Sequence, residues 1–173
     1  MGFSITIASA IVLIGLVIFF GSLSAVLVYS LNTLFDTTKE YVNREREKFD
    51  VRLELNITSI GADTCTIKVK NLGTKTIFLQ SQENFQWNSI VISYQNNSQW
   101  LSYIIENYTV LDVRVIDTQV LFNPASHPFI NPGEEARISF NLPEEAPAIS
   151  QGTTVIVVFA SHYGVTGQTE GVR

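Results

Sequence analysis

Residues 3–31 read FSITIASAIVLIGLVIFFGSLSAVLVYSL and carry no charged side chain. The apolar part of a secretion signal runs roughly 7–15 residues behind a positively charged start and ends at a small-residue cleavage site. This run is roughly twice that length, and the first Lys or Arg is Lys39. As a helix it would extend about 43 Å at 1.5 Å per residue, more than the ~30 Å hydrocarbon layer of a bilayer. Residues 1–35 are therefore read as a permanent transmembrane helix, tilted or projecting. A cleaved signal and the core helix of a filament subunit are the competing readings.

The 11 Lys and Arg and the 16 Asp and Glu all lie at or after Asp36, which makes a sharp compositional boundary. Beyond it, residues 51–173 suffice for one sandwich-sized domain with its own core. The net charge of −5 and the lack of a basic cluster exclude a nucleic-acid partner. A single Cys allows no intrachain disulfide, so burial alone must hold the domain together.

Residues 36–50, DTTKEYVNREREKFD, contain no Gly or Pro and place Glu40 and Arg44 at i,i+4. They are expected to continue the helix into water as a stalk. Leu34, Tyr41, Val42 and Phe49 fall on one face, and Val42 and Phe49 are candidates for pairing with a second helix. Charges of both signs are mixed here, so the positive-inside rule does not orient the chain.

From residue 50 the hydrophobic period changes to two. Val51, Leu53, Leu55 and Ile57 alternate with Arg52, Glu54, Asn56 and Thr58; Cys65, Ile67 and Val69 alternate with Lys68 and Lys70. Such alternation marks strands with one buried and one wet face. Hairpins are expected at 59–63 and 95–98, and a turn at NLGTKT, 71–76. Leu111, Val113 and Val115 are expected to point inward together, as are Ala136, Ile138 and Phe140. NPASHPFINPGE reads as a long loop, and TTVIVVFASHYG as the strand that closes the domain. Seven or eight short strands at this spacing predict a mainly β fold: an immunoglobulin-like antiparallel β-sandwich behind the N-terminal helix.

That closing strand is apolar on both faces. Val155, Val157 and Phe159 suit the core, which leaves Ile156 and Val158 as a candidate protein interface, or as residues covered by the loop at 117–133. No metal, phosphate or nucleophile motif is present, so no enzymatic activity and no cofactor is expected. Cys65 sits at an inward strand position as a small hydrophobe. Glu134 and Glu135 follow a turn, as do Glu144 and Glu145, and both pairs are expected to be solvated. N-x-S/T sequons mark Asn56, Asn96 and Asn107 as candidate glycosylation sites of an external domain.

The opening MGFS with its charge-free helix, the segments KVKNLGTKTI and INPGEEARISF, and the late SHYGV together resemble the archaellum F/G family of accessory proteins, and the MGFS start resembles protein F more than protein G. The resemblance spans essentially the whole chain. It implies a single-pass protein of the archaeal cell membrane, with its sandwich in the pseudoperiplasm facing the surface layer. There it would bind the surface-layer protein, partner protein G, form a homodimer and serve as a stator for the motility machinery. The rival is a type IV pilin-like or archaellin filament subunit. Precursors of such subunits carry Lys or Arg ahead of a Gly cleavage point, whereas only Met1 and Gly2 precede Phe3 here.

Overall fold

The computed structural model describes residues 2–80 and 86–173 and divides into two compact units, the split falling between Glu45 and Arg46. Met1, the first residue of the MGFS start, lies outside the described residues.

The first unit is helical. Helix α1 (Gly2–Phe49) runs for 48 residues, and its stretch Ile7–Phe49 is long and apolar enough to cross a membrane. Every described apolar side chain along it is exposed, Val17 and Ile18 among them. Three of its hydroxyls turn back onto the helix, Thr37 among them: Ser22 Oγ donates to the Phe19 carbonyl at 2.9 Å and Thr33 Oγ1 to that of Tyr29 at 3.0 Å. A helix in lipid satisfies its polar side chains in this way.

The second unit begins in the last turn of α1. Asp50 N donates to Glu47 O and Val51 N to Lys48 O, both at 3.2 Å, which tightens the chain out of the helix. The strands follow as β1 (Leu53–Ile60), β2 (Thr64–Asn71), β3 (Ile77–Phe78), β4 (Ser89–Asn96), β5 (Gln99–Ile105), β6 (Tyr108–Val115), β7 (Leu121–Phe122), β8 (Phe129–Ile130), β9 (Glu134–Asn141), β10 (Thr154–Ala160) and β11 (Thr166–Val172). A five-stranded sheet in the order β1-β2-β9-β6-β7 faces a four-stranded sheet β11-β10-β4-β5, with a small β3-β8 pair beside them. All pairings are antiparallel. The chain is thus an N-terminal apolar helix followed by an antiparallel β-sandwich.

Alternation fills the space between the sheets. Cys65, Ile67, Val69, Ile138 and Phe140 of the larger sheet meet Ile90, Ile92, Val155, Val157 and Phe159 of the smaller one. The 95–98 turn is a two-residue hairpin in which Asn97 and Ser98 take φ of 45° and 70°, the left-handed pair of a type I′ turn. The NLGTKT turn is held by buried Asn71. Its Nδ2 donates to the carbonyls of Lys75 at 2.7 Å and Ile130 at 2.9 Å, and its Oδ1 accepts from Gly73 N at 3.1 Å. A Cβ on Gly73 would stand 2.4 Å from Asp50 O, so only glycine lets the turn close onto the end of α1.

Three expectations need correction. SHYG does not close the domain, because β11 follows it and pairs with β10 along its whole length. The glycines of this strand look like turn signals in the sequence, yet they are there for room. A Cβ on Gly171 would lie 3.2 Å from Ile57 and 3.3 Å from Ile60, so β1 presses directly against β11 where the two sheets meet. Leu111 does not join Val113 inside. A bulge between Val110 and Asp112 shifts the register by one residue and turns Leu111 out to 47 % exposure. The loop NPASHPFINPGE is not structureless, since its Phe129–Ile130 pairs with β3.

Candidate interaction faces of the sandwich

The two sheets present opposite chemistry on their outer faces. On the larger sheet, outward positions of β1, β2, β9 and β6 line up through the register: Glu54 opposite Lys70, Lys70 opposite Glu135, Glu135 opposite Arg114, and Lys68 opposite Arg137, itself opposite Asp112. The first row alternates in sign, whereas Lys68 and Arg137 are alike and pair to either side, with Glu135 and Asp112. Lys70 Nζ lies 2.9 Å from Glu54 Oε1, Lys68 Nζ 3.1 Å and Arg114 Nε 3.2 Å from Glu135 Oε1, and Arg137 Nε donates to Asp112 at 2.7 Å. The hydrogen bond from Lys70 holds the Glu54 carboxyl below the usual carboxylate range, and the same bond raises Lys70.

Glu134 and Glu135 therefore depart from the solvated reading: they are 7 % and 5 % exposed. Glu135 lies beneath Lys68 and Arg114. Glu134 accepts from Asn131 N at 2.8 Å and bonds His127 Nε2 at 2.9 Å, while the His127 ring stacks on Phe122 with centroids 4.5 Å apart. Side chains following a turn look wet in a sequence, and only the register of β9 between β2 and β6 reveals them as covered. Glu144 and Glu145 are exposed.

The smaller sheet is different. Its outer face carries the row Ile104–Val91–Val158–Gln168 and, next to it, Ser102–Ser93–Ile156–Glu170. Ile156 and Val158 are half-buried side by side, and Ile104 at 67 % and Trp100 at 54 % are exposed beyond them. The 117–133 segment is bonded elsewhere: Pro128 O accepts from Leu79 N, Ile130 O from Asn71 Nδ2, and Gly133 O from Ile116 N. A face with four apolar side chains among its central rows contrasts with the salt-bridged face behind it.

The sequon asparagines lie apart from one another. Asn56 is exposed on β1 with its Nδ2 donating to Glu54 at 3.0 Å, Asn96 is half-buried at the β4–β5 turn, and Asn107 is exposed between β5 and β6. On α1, Val42 is 55 % and Phe49 88 % exposed.

Groups with reactive potential are tied into packing. Burial pushes the Cys65 thiol up to about 11, the range of an inert core thiol. Burial, with smaller contributions from Tyr103 and Asp63, pushes Tyr94 to about 12, and its hydroxyl donates to Pro147 O at 2.5 Å. His162 packs among Phe78, Trp87 and Tyr163, and burial lowers its basicity. Among the described residues no three His, Cys, Asp or Glu side chains gather to hold a metal ion.

No protein-family model matches the chain. No curated protein matches it either. Among solved structures it is similar to the archaeal flagellum of Methanospirillum hungatei strain JF1, at 14% identity and a TM-score of 0.59, over 96% of this chain and 92% of that one. It also aligns with the archaellum periplasmic stator protein FlaG from Sulfolobus acidocaldarius (15% identity, TM-score 0.44, 70% of this chain and 99% of that one). The FlaF and FlaG stator complex of the same organism aligns at 15% identity and a TM-score of 0.42, over 70% of this chain and 88% of that one. The likeness is one of fold. With the Methanospirillum hungatei structure it extends over nearly the full length of both chains.

Proposed function

We propose that this chain is a membrane-anchored, extracytoplasmic stator component of the archaeal motility machinery. Its helix is embedded in the cell membrane, and its sandwich stands in the pseudoperiplasm, where it binds the surface-layer protein and protein G and forms a homodimer. One observation carries the reading: α1 exposes every described apolar side chain, while the sandwich it leads into has a complete core of its own. A helix apolar all round finds its cover in lipid or in other helices. A stationary element that resists torque requires one end fixed in lipid and the other on something rigid. The apolar outer face around Ile156 and Val158 supplies the second attachment. The chemistry asked of it is adhesion, which accords with inert Cys65 and with carboxylates locked in ion pairs.

The test uses the full chain in lipid nanodiscs, presented to purified surface-layer protein and to protein G. Binding that Ile156→Lys with Val158→Lys abolishes supports the proposal, and absence of binding to either partner overturns it. Carbonate extraction that frees the chain from membranes, or protease protection that puts the sandwich in the cytosol, overturns the anchoring.

A second reading, a filament subunit whose α1 packs in the filament core, is favoured by the whole-chain likeness to the Methanospirillum hungatei flagellum. Immunogold labelling separates the two: label along filaments supports the subunit, and label confined to the cell envelope supports the stator.

A further inference from the structure

Four strands end the two sheets of the sandwich: β1, β7, β11 and β5. Three of them are guarded. Strand β1 carries a bulge at Ile57/Ser59 and lies against β11, whose glycines admit it; β7 has only two residues. Among the described residues strand β5 has no such protection. Its sequence QWLSYII has no charge, no Pro and no Gly, and its register with β4 runs unbroken from Asn96↔Gln99 to Ile90↔Ile105. Among the described residues no strand pairs with its other side. Natural sheets blunt such an edge with Lys, Pro or bulges, because a long, regular, uncharged edge recruits another strand.

The type I′ hairpin fixes which groups are offered. With Asn96 and Gln99 as the hydrogen-bonded pair closing the turn, Leu101, Tyr103 and Ile105 bond toward β4, and Trp100, Ser102 and Ile104 aim their N–H and C=O groups outward. That side opens onto a cleft of about 1080 Å³, lined by the β5 edge, by Thr109 and Leu111 of β6, and by Glu106, Glu144 and Glu145. The three glutamates are exposed.

We propose that β5 is a strand-addition site that takes an extended, Lys- or Arg-bearing segment of another protein, hydrogen-bonded to Trp100, Ser102 and Ile104 and attracted by the acidic mouth of the cleft. Main-chain bonds give such complexes their affinity, while the side chains lining the groove choose the sequence. A second copy of this chain fits the edge less well. Antiparallel pairing of β5 with β5 would bring two sets of Glu106, Glu144 and Glu145 to one cleft, in a chain already at −5.

The site uses the backbone edge of β5 and adjoins the Ile156–Val158 face through Val91 and Ser93. It is tested without any envelope component, so its failure is read separately from that of the attachment. Full chain in nanodiscs is titrated, by fluorescence anisotropy, against a synthetic array in which Val or Thr alternates with Lys, Ser or Glu. Lys-bearing peptides are expected to bind and Glu-bearing ones to be rejected, with binding weakened by salt. Ile104→Pro, which removes an outward N–H and no ladder bond, is expected to weaken binding about tenfold or more. Glu144→Lys combined with Glu145→Lys lies outside the strands and leaves the fold intact, so it decides the matter should the proline variant misfold; it is expected to reverse the charge preference. Failure of every peptide to bind, equal binding of Lys and Glu peptides to the native chain, or binding unchanged in both variants overturns the proposal. So does a Ser102→Cys homodimer, disulfide-linked through β5, that forms undiminished in the presence of Lys peptide.

Discussion

The side-chain amide of Asn71 donates to the backbone carbonyl of Ile130, 59 residues further along, at 2.9 Å. The same nitrogen also serves Lys75 O, and the amide oxygen takes Gly73 N, so one buried residue joins the NLGTKT turn to the strand before NPGE. The NLGTKT and NPGE segments are thus one structural feature. Replacing Asn71 with Ala would remove the amide bonds to the buried Ile130 carbonyl and to the half-buried Lys75 carbonyl and Gly73 N–H, at about 1–3 kcal/mol per group left unsatisfied. Because those groups relax together, the net cost is expected near 3 kcal/mol. Urea titration of the full chain in detergent, followed by Trp fluorescence, checks this, and a loss below about 1 kcal/mol would show that water satisfies the turn.

Glu135 is covered by two cations, which makes its neighbours redundant singly and essential together. Lys68→Met or Arg114→Met alone is expected to cost about 1 kcal/mol, since the remaining partner still compensates the carboxylate. The double variant strands a buried charge and is expected to cost roughly 3–5 kcal/mol, far beyond the sum. Adding Glu135→Gln to the double variant should recover much of that loss. Additive costs would mean that Glu135 reaches solvent on its own.

His162 predicts a pH window. Its folded pKa lies below the ordinary 6.5 because burial disfavours the imidazolium, and its Nδ1 is buried without a hydrogen-bond partner among the described residues. The unfolded chain therefore binds the extra proton first. The stability due to neutral His162 is present in full above pH 6.5 and is lost as the pH falls from 6.5 through the folded value. Losses from Glu54, whose pKa is lowered from 4.5, come at more acidic pH and are separable. Melting temperatures of native chain and His162→Phe are expected to diverge across the window. Identical pH profiles would contradict it.

How much of this was legible follows from which contacts are local. Alternation in β1, β2 and β9 reports directly on one buried face, so the sandwich is readable from Leu55, Ile67 and Ile138. The apolar outer side of β10 is readable for the same reason. Strand β11 is not, because Gly167 and Gly171 are small to admit Leu53 and Ile57 from a strand more than a hundred positions away. The bulge that expels Leu111 is a property of the β6–β9 pairing, and the burial of Glu135 depends on β2 and β6 lying either side of β9. The cleft beside β5 likewise exists only once two sheets end at the same flank. Whatever needs a partner distant in the chain stays hidden in a single sequence.

The helix end offers the last test. Val42 and Phe49 are seven positions apart, two full turns of α1, and both are exposed. If this end of the helix stands in water as a stalk, covering these apolar residues with a second helix would be favourable, and under the proposed stator role a paired stalk would transmit torque more stiffly than a single one. Val42→Cys and Phe49→Cys, introduced separately into a Cys65→Ala background, are expected to form disulfide-linked dimers in native membranes under mild oxidation. Asn43→Cys, rotated about 100° away from Val42 at 3.6 residues per turn, should not. Monomers at both test positions would assign Val42 and Phe49 to some other contact, and dimers at all three would reveal random collision in the bilayer.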